Sequence, residues 1–219
     1  MVRRPFKGSR IGERRPSSGS LHGDVPQEDA LRAALVRNPN DIEAFDALAR
    51  IVRRRTAEAG SHDDPLAAPA DPSEVRRAAD LAVWSLGEEF AGHPKAWFPL
   101  IELARLSIHD DHEGALRRLQ TAIDRDASGV ALVQGLAVLR DAGLPAEALG
   151  LGVAHWRPLE QGADVGRLLV LAALEADRPL EAKQHLATTL SNSSPAEAQR
   201  LRGELEPLVS AAHQHIAGT

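Results

Sequence analysis

The 219-residue chain contains no cysteine and no tyrosine, and only 3% of its residues are aromatic. Without cysteine there is no disulfide framework, no thiol nucleophile and no cysteine-ligated metal. Scarce rings leave little on which nucleic-acid bases could stack. No apolar run approaches the ~18 residues of a membrane span. The N-terminus carries charges but no apolar stretch of the secretory type. A cytoplasmic protein without membrane contact is therefore expected. Lysine is rare as well, 3 against 23 arginines, which together with abundant alanine suggests a GC-rich coding genome rather than a biochemical specialisation. Catalytic signatures are missing: there is no G-x-S-x-G, no G-x-x-x-x-G-K-[ST] and no H-E-x-x-H. Neither an enzyme nor a cofactor is expected.

What is present is a repeating apolar stripe in a chain of 43% hydrophobic and 26% charged residues, a globular composition. In Asp111–Asp126, Ala115, Leu116, Leu119, Ala122 and Ile123 stand at the spacing of an amphipathic helix. The stripe recurs as Ala148, Leu149, Gly152, His155 and Trp156, then as Ala182, Leu186 and Leu190, with Lys183 and Thr189 in the remaining slots. An earlier copy is Ala82, Val83, Leu86, Glu89 and Phe90. A period of 33–34 residues, one helix pair per unit, marks a helical repeat array.

Charge divides the chain. Residues 1–60 carry a net +4 and the remainder −9. Residues 1–25 are rich in Arg, Gly, Ser and Pro without periodicity, so they are read as a disordered basic arm. Its cations are Arg3, Arg4, Lys7, Arg10, Arg14 and Arg15, suited to weak contact with phosphates. Residues 26–217 form the repeat domain. Pro26 is placed in the first turn of its first helix, and Asn38-Pro39 closes that helix. Asn40 with Glu43 reads as a capping box, and Arg53-Arg54-Arg55 as the end of the next helix. Residues 56–71, acidic and Pro/Ala-rich, read as a flexible insertion, after which Asp71 caps a helix opened by Pro72. Hairpins are expected at 96–108 with 112–125, 129–141 with 145–157 and 163–176 with 179–191. Gly143 and Asp177 mark two of the turns, and a last helix at about 195–216 follows Ser194.

The run from Ala34 to Ala49, ALVRNPNDIEAFDALA, resembles the junction between two tetratricopeptide repeats. Ala34, Pro39, Phe45, Leu48 and Ala49 fall on that family's small, helix-ending and helix-opening positions. Ala82, Ala115, Ala148 and Ala182 match its small residue early in the second helix, and Pro94 its terminal proline. The repeats are degenerate, since Leu or Val replaces most aromatics. The resemblance implies an all-α, right-handed solenoid of helical hairpins with a terminal capping helix. It also implies an interaction scaffold that holds a peptide or helix of a partner protein in its concave groove. Glu43, Asp46, Ala47 and Arg50 do not reproduce the family's carboxylate clamp.

Candidate partner-binding residues are Arg50, Arg53, Trp97, Phe98, Val130, Val133 and Leu168. The last three belong to the segments VALVQGLAVL and LLVLAAL, apolar nearly all round and so either a groove or a doubly buried core. Trp84 and Trp156 read as packing between repeats, and His155 as a satisfied or partly exposed core histidine. His109-Asp110-Asp111-His112 has ligand-type side chains, but such turns collect caps and solvated polar groups. An alternative function is a nucleic-acid- or ribosome-associated factor using the basic arm.

Overall fold

The computed structural model describes residues 21–60 and 71–217, so most of the basic arm and of the insertion lies outside the described residues. The described residues are all-helical, with no strand. In chain order the helices are α1 (Leu21–Arg37), α2 (Ile42–Gly60), α3 (Pro72–Ala91), α4 (Phe98–Ser107) and α5 (His112–Asp124). They continue as α6 (Val130–Asp141), α7 (Pro145–His155), α8 (Ala163–Glu175), α9 (Pro179–Ser191) and α10 (Pro195–Ala217).

Short-range chemistry sets the turns. Gly143 and Asp177 adopt positive φ, 74° and 57°, just past the ends of α6 and α8. Each turn closes with a bond from the next amide back into the helix, Leu144 N–H to Leu139 C=O at 2.9 Å and Arg178 N–H to Ala173 C=O at 2.8 Å. Pro145 and Pro179 then open α7 and α9, where a missing N–H costs nothing. Asp71 accepts from Ser73 N–H at the head of α3, and Asp111 from Gly114 N–H at the head of α5. Asp126 accepts from Ala131 N–H at 2.8 Å in α6. Burial raises the pKa of the Asp126 carboxyl, but hydrogen bonds from Ser128 and Ala131 outweigh it and hold the group below its ordinary value.

Each helix packs on its successor, and α4, α6, α8 and α10 also pack on one another in that order. The small residues Ala115, Ala148 and Ala182 are fully buried, as the period requires. The all-round apolarity of α6 and α8 corresponds to burial on most sides, with Val130 at the head of α6 left exposed. α6 lies between α4 and α8, and α10 covers α8 with Leu201 and Leu205. The second row, α3, α5, α7 and α9, is linked by side chains from each helix to the next. The Arg118 guanidinium lies 4.9 Å from the Trp84 ring centre, Gln120 meets His155 at 2.7 Å, and Trp156 contacts His185 edge-on at 5.9 Å.

Four expectations are corrected. Helix α1 begins at Leu21, so Leu21–Val25 belong to a helix and Pro26 lies inside it. Helix α2 does not stop at Arg53–Arg55 but runs to Gly60, with Arg55 paired to Glu28 of α1 at 2.7 Å. Residues 56–60 of the expected insertion are thus helical. Asn40 is not the cap of α2; Asp41 is, accepting from Ala44 N–H at 3.0 Å. In α3 the small residue Ala82 is only half-buried and Glu89 is exposed, because the buried face there is Ala79, Val83, Leu86 and Phe90.

Candidate partner-binding site

Of the residues expected to meet a partner, Trp97 is 9%, Phe98 2% and Leu168 7% exposed. These three belong to the core and offer a partner almost no surface. The Phe98 ring is edge-on to Phe45 of α2 at 5.4 Å and to Trp97 at 5.8 Å. Asn40 explains why this segment is drawn inward. Its side-chain oxygen accepts from Trp97 N–H at 2.7 Å and Phe98 N–H at 3.1 Å, while its amide donates to Lys95 C=O at 2.8 Å. One side chain from the α1–α2 turn therefore occupies the unsatisfied donors at the start of α4. Val133 is half-buried and Val130 is 42% exposed at the start of α6. Arg50 and Arg53 are exposed on α2. The seven residues come from four helices, and nothing unites them into one apolar face.

Charged side chains are distributed unevenly between bound and free. Arg105 reaches Asp141 at 3.9 Å, Arg140 meets Glu175 at 2.8 Å, and Arg167 meets Glu204 at 2.6 Å. These pairs join α4 to α6, α6 to α8 and α8 to α10, a ladder along the first row. Arg125 is tied to backbone, donating to the carbonyls of Ala91, His93 and Ala96 at 2.8–3.1 Å. Every arginine from Arg105 onward has such a partner. Among the described residues, Arg37, Arg50, Arg53, Arg76, Arg77, Lys95 and Lys183 have no carboxylate partner.

The histidine-rich turn is a capping structure. Asp111 caps α5 and pairs with Arg118 at 3.3 Å, while His109 and His112 are exposed. Among the described residues no group of three or more His, Asp or Glu could hold a metal ion. No helix there is long and apolar enough to cross a membrane.

Among the described residues an open concavity with apolar character lies elsewhere, between α9 and α10. It measures about 440 Å³. Its apolar lining is the half-buried Leu190, the exposed Ala187 and the edges of Leu186 and Val209, which are 5% exposed and belong to the core. The exposed Lys183, Glu206, Ser210 and His213 rim it. The α9 residues Lys183, Leu186, Ala187 and Leu190 follow i, i+3, i+4, i+7, one face of a helix. Glu206, Val209, Ser210 and His213 follow the same spacing on α10.

No protein-family model, no curated protein and no solved structure matches this chain. The tetratricopeptide resemblance thus rests on the residues quoted for it.

Sequence reasoning missed Asn40 and Arg125 as connectors, because their partners lie 55–58 and 29–34 residues away. It also missed the α9–α10 groove, although a signal was available: Lys183 stands where the other copies carry Val83, Leu116 and Leu149.

Proposed function

We propose that the chain is a non-enzymatic interaction scaffold, a tetratricopeptide-like solenoid capped by α10, which holds a peptide or helix of a partner protein. The observation that carries this reading is the groove between α9 and α10, with an apolar floor, a polar rim and helical spacing on both walls. Two helical ridges over a narrow apolar floor are a shape that receives a helix. The test is to block the groove at exposed positions, Ala187→Arg with Ser210→Arg, and compare the proteins recovered with each form from the native host. The scaffold reading expects a specific partner to be lost while helicity is unchanged. Recovery of the same partners by both forms refutes it.

One observation favours the nucleic-acid alternative. Among the described residues, the arginines without a carboxylate partner, Arg37, Arg50, Arg53, Arg76 and Arg77, all lie in α1–α3, the part of the chain that follows the basic arm. Salt-dependent RNA or DNA binding that disappears when Met1–Asp24 is deleted would support it. Equal binding by both forms, or none by either, would remove it.

A further inference from the structure

The order of the helices indicates what the α9–α10 groove receives. Each second-row helix is held between two first-row helices, α5 between α4 and α6, α7 between α6 and α8, α9 between α8 and α10. The groove beside α9 on α10 is the next position in that row. Its walls present side chains at i, i+3, i+4 and i+7 on both helices, so it runs along them for about two turns, ~10 Å. A helix laid there would meet α10 as α5, α7 and α9 meet the first-row helices that precede them.

One slot departs from the repeat. The position after the small residue is Val83 in α3, Leu116 in α5 and Leu149 in α7, all buried or half-buried. In α9 it is Lys183, exposed and without a carboxylate partner among the described residues. Another apolar residue would suit a further repeat of the same kind. A free ammonium on the groove wall instead selects charge, because covering it with an apolar or cationic surface would strip its water without compensation. On the opposite wall Glu206 is paired with Arg202 at 3.2 Å, one turn back along α10, whereas Lys183 has no such pair among the described residues. His213 adds a second group that can only be neutral or positive.

We infer that the groove takes an amphipathic helix of a partner protein, with an apolar stripe at i, i+4, i+7 and a carboxylate on the flank facing Lys183. This rests on the scaffold reading and specifies its partner.

The test uses the full chain and two synthetic helical peptides with the same Leu/Ala stripe, differing only in Glu or Lys at one flank position. Binding is read by fluorescence anisotropy against the unaltered chain, Lys183→Glu and Ala187→Arg. The Glu peptide should bind the unaltered chain about fivefold more tightly than the Lys peptide. Lys183→Glu should reverse that preference, and Ala187→Arg should abolish both. Equal affinities that Ala187→Arg still abolishes would overturn the carboxylate inference and leave the helix groove standing. No binding of either peptide up to ~1 mM, or binding untouched by Ala187→Arg, would overturn both. A dimer in sedimentation whose dissociation requires Ala187→Arg would make the occupant a second copy of the chain, which also overturns the inference.

Discussion

Two glycines on one turn of α7 should respond to the same substitution with opposite sign. Gly150 is exposed, and a Cβ built there meets nothing within 4 Å. Gly150→Ala should therefore show only the helix-propensity gain, about 0.5–1 kcal/mol of stabilisation. Gly152 is buried against α8. A Cβ there would overlap the Leu169 Cδ2 atom and stand 3.1 Å from Leu169 Cγ and 3.2 Å from Leu136 Cδ2. Leu169 and Leu136 are themselves fully buried, so neither side chain can swing into water. Overpacking of this kind costs about 1–3 kcal/mol. Because both glycines lie in the interior of the same helix, the propensity gain cancels in the comparison. Gly152→Ala should be less stable than Gly150→Ala by about 1–3 kcal/mol, measured by urea denaturation at equal m-value. In a chain of this length each kcal/mol corresponds to roughly 2–4 °C in Tm. Equal shifts for the two variants would mean that α7 does not approach α8 at Gly152, and the register of the array would fail with it.

Other perturbations test the connections between repeats. Asn40→Ala leaves the amides of Trp97 and Phe98 without their acceptor and should cost about 1–3 kcal/mol in chemical denaturation; an unchanged midpoint would refute the role given to that side chain. Arg125→Met removes three bonds to carbonyls and should cost on the order of 2 kcal/mol, whereas a neutral result would mean water replaces the guanidinium. Ala148→Leu at a fully buried site should destabilise by about 1–3 kcal/mol. Partial burial beside the Trp156 ring lowers the pKa of His185 below its ordinary value. The unfolded chain therefore binds the proton first, and stability should be full above about pH 6.5 and fall as pH drops through the lower, folded value. His185→Gln should flatten that part of the stability–pH profile, and an unaltered slope would show that another group titrates there.

Local signals made most of the helical plan legible. Gly143 and Asp177, each two residues before a proline, placed the turns of two hairpins, because positive φ and a proline-opened helix are properties of single residues. The alanines at 115, 148 and 182 were legible as buried positions through their spacing alone. Failures occurred where a distant partner outweighed a local preference. Asn40 has the sequence of a cap, yet its amide is drawn to Lys95, Trp97 and Phe98, and the adjacent Asp41 takes over the capping. Arg53–Arg55 look like a helix end, but Arg55 pairs with Glu28 of α1 and the helix runs on to Gly60. Trp97 reads either as a helix-opening core aromatic or as a groove anchor, because exposed and buried aromatics have the same local sequence; the contacts of Phe98 with Phe45 and of Trp97 with Phe98 decide for the core. The arginine ladder was within reach of the period, since Arg105 and Asp141, Arg140 and Glu175, and Arg167 and Glu204 each stand about one repeat apart.

The most direct test of the scaffold account is site-specific photocrosslinking of the full chain in the cells that express it. A photoreactive residue replaces Ala187 or Ser210 in the groove, or Ala154 on the exposed side of α7 as a control. The account predicts one shared protein adduct from Ala187 and Ser210, absent from Ala154 and diminished when Lys183→Glu is added. No adduct from either groove position, or the same adduct from Ala154, would contradict it.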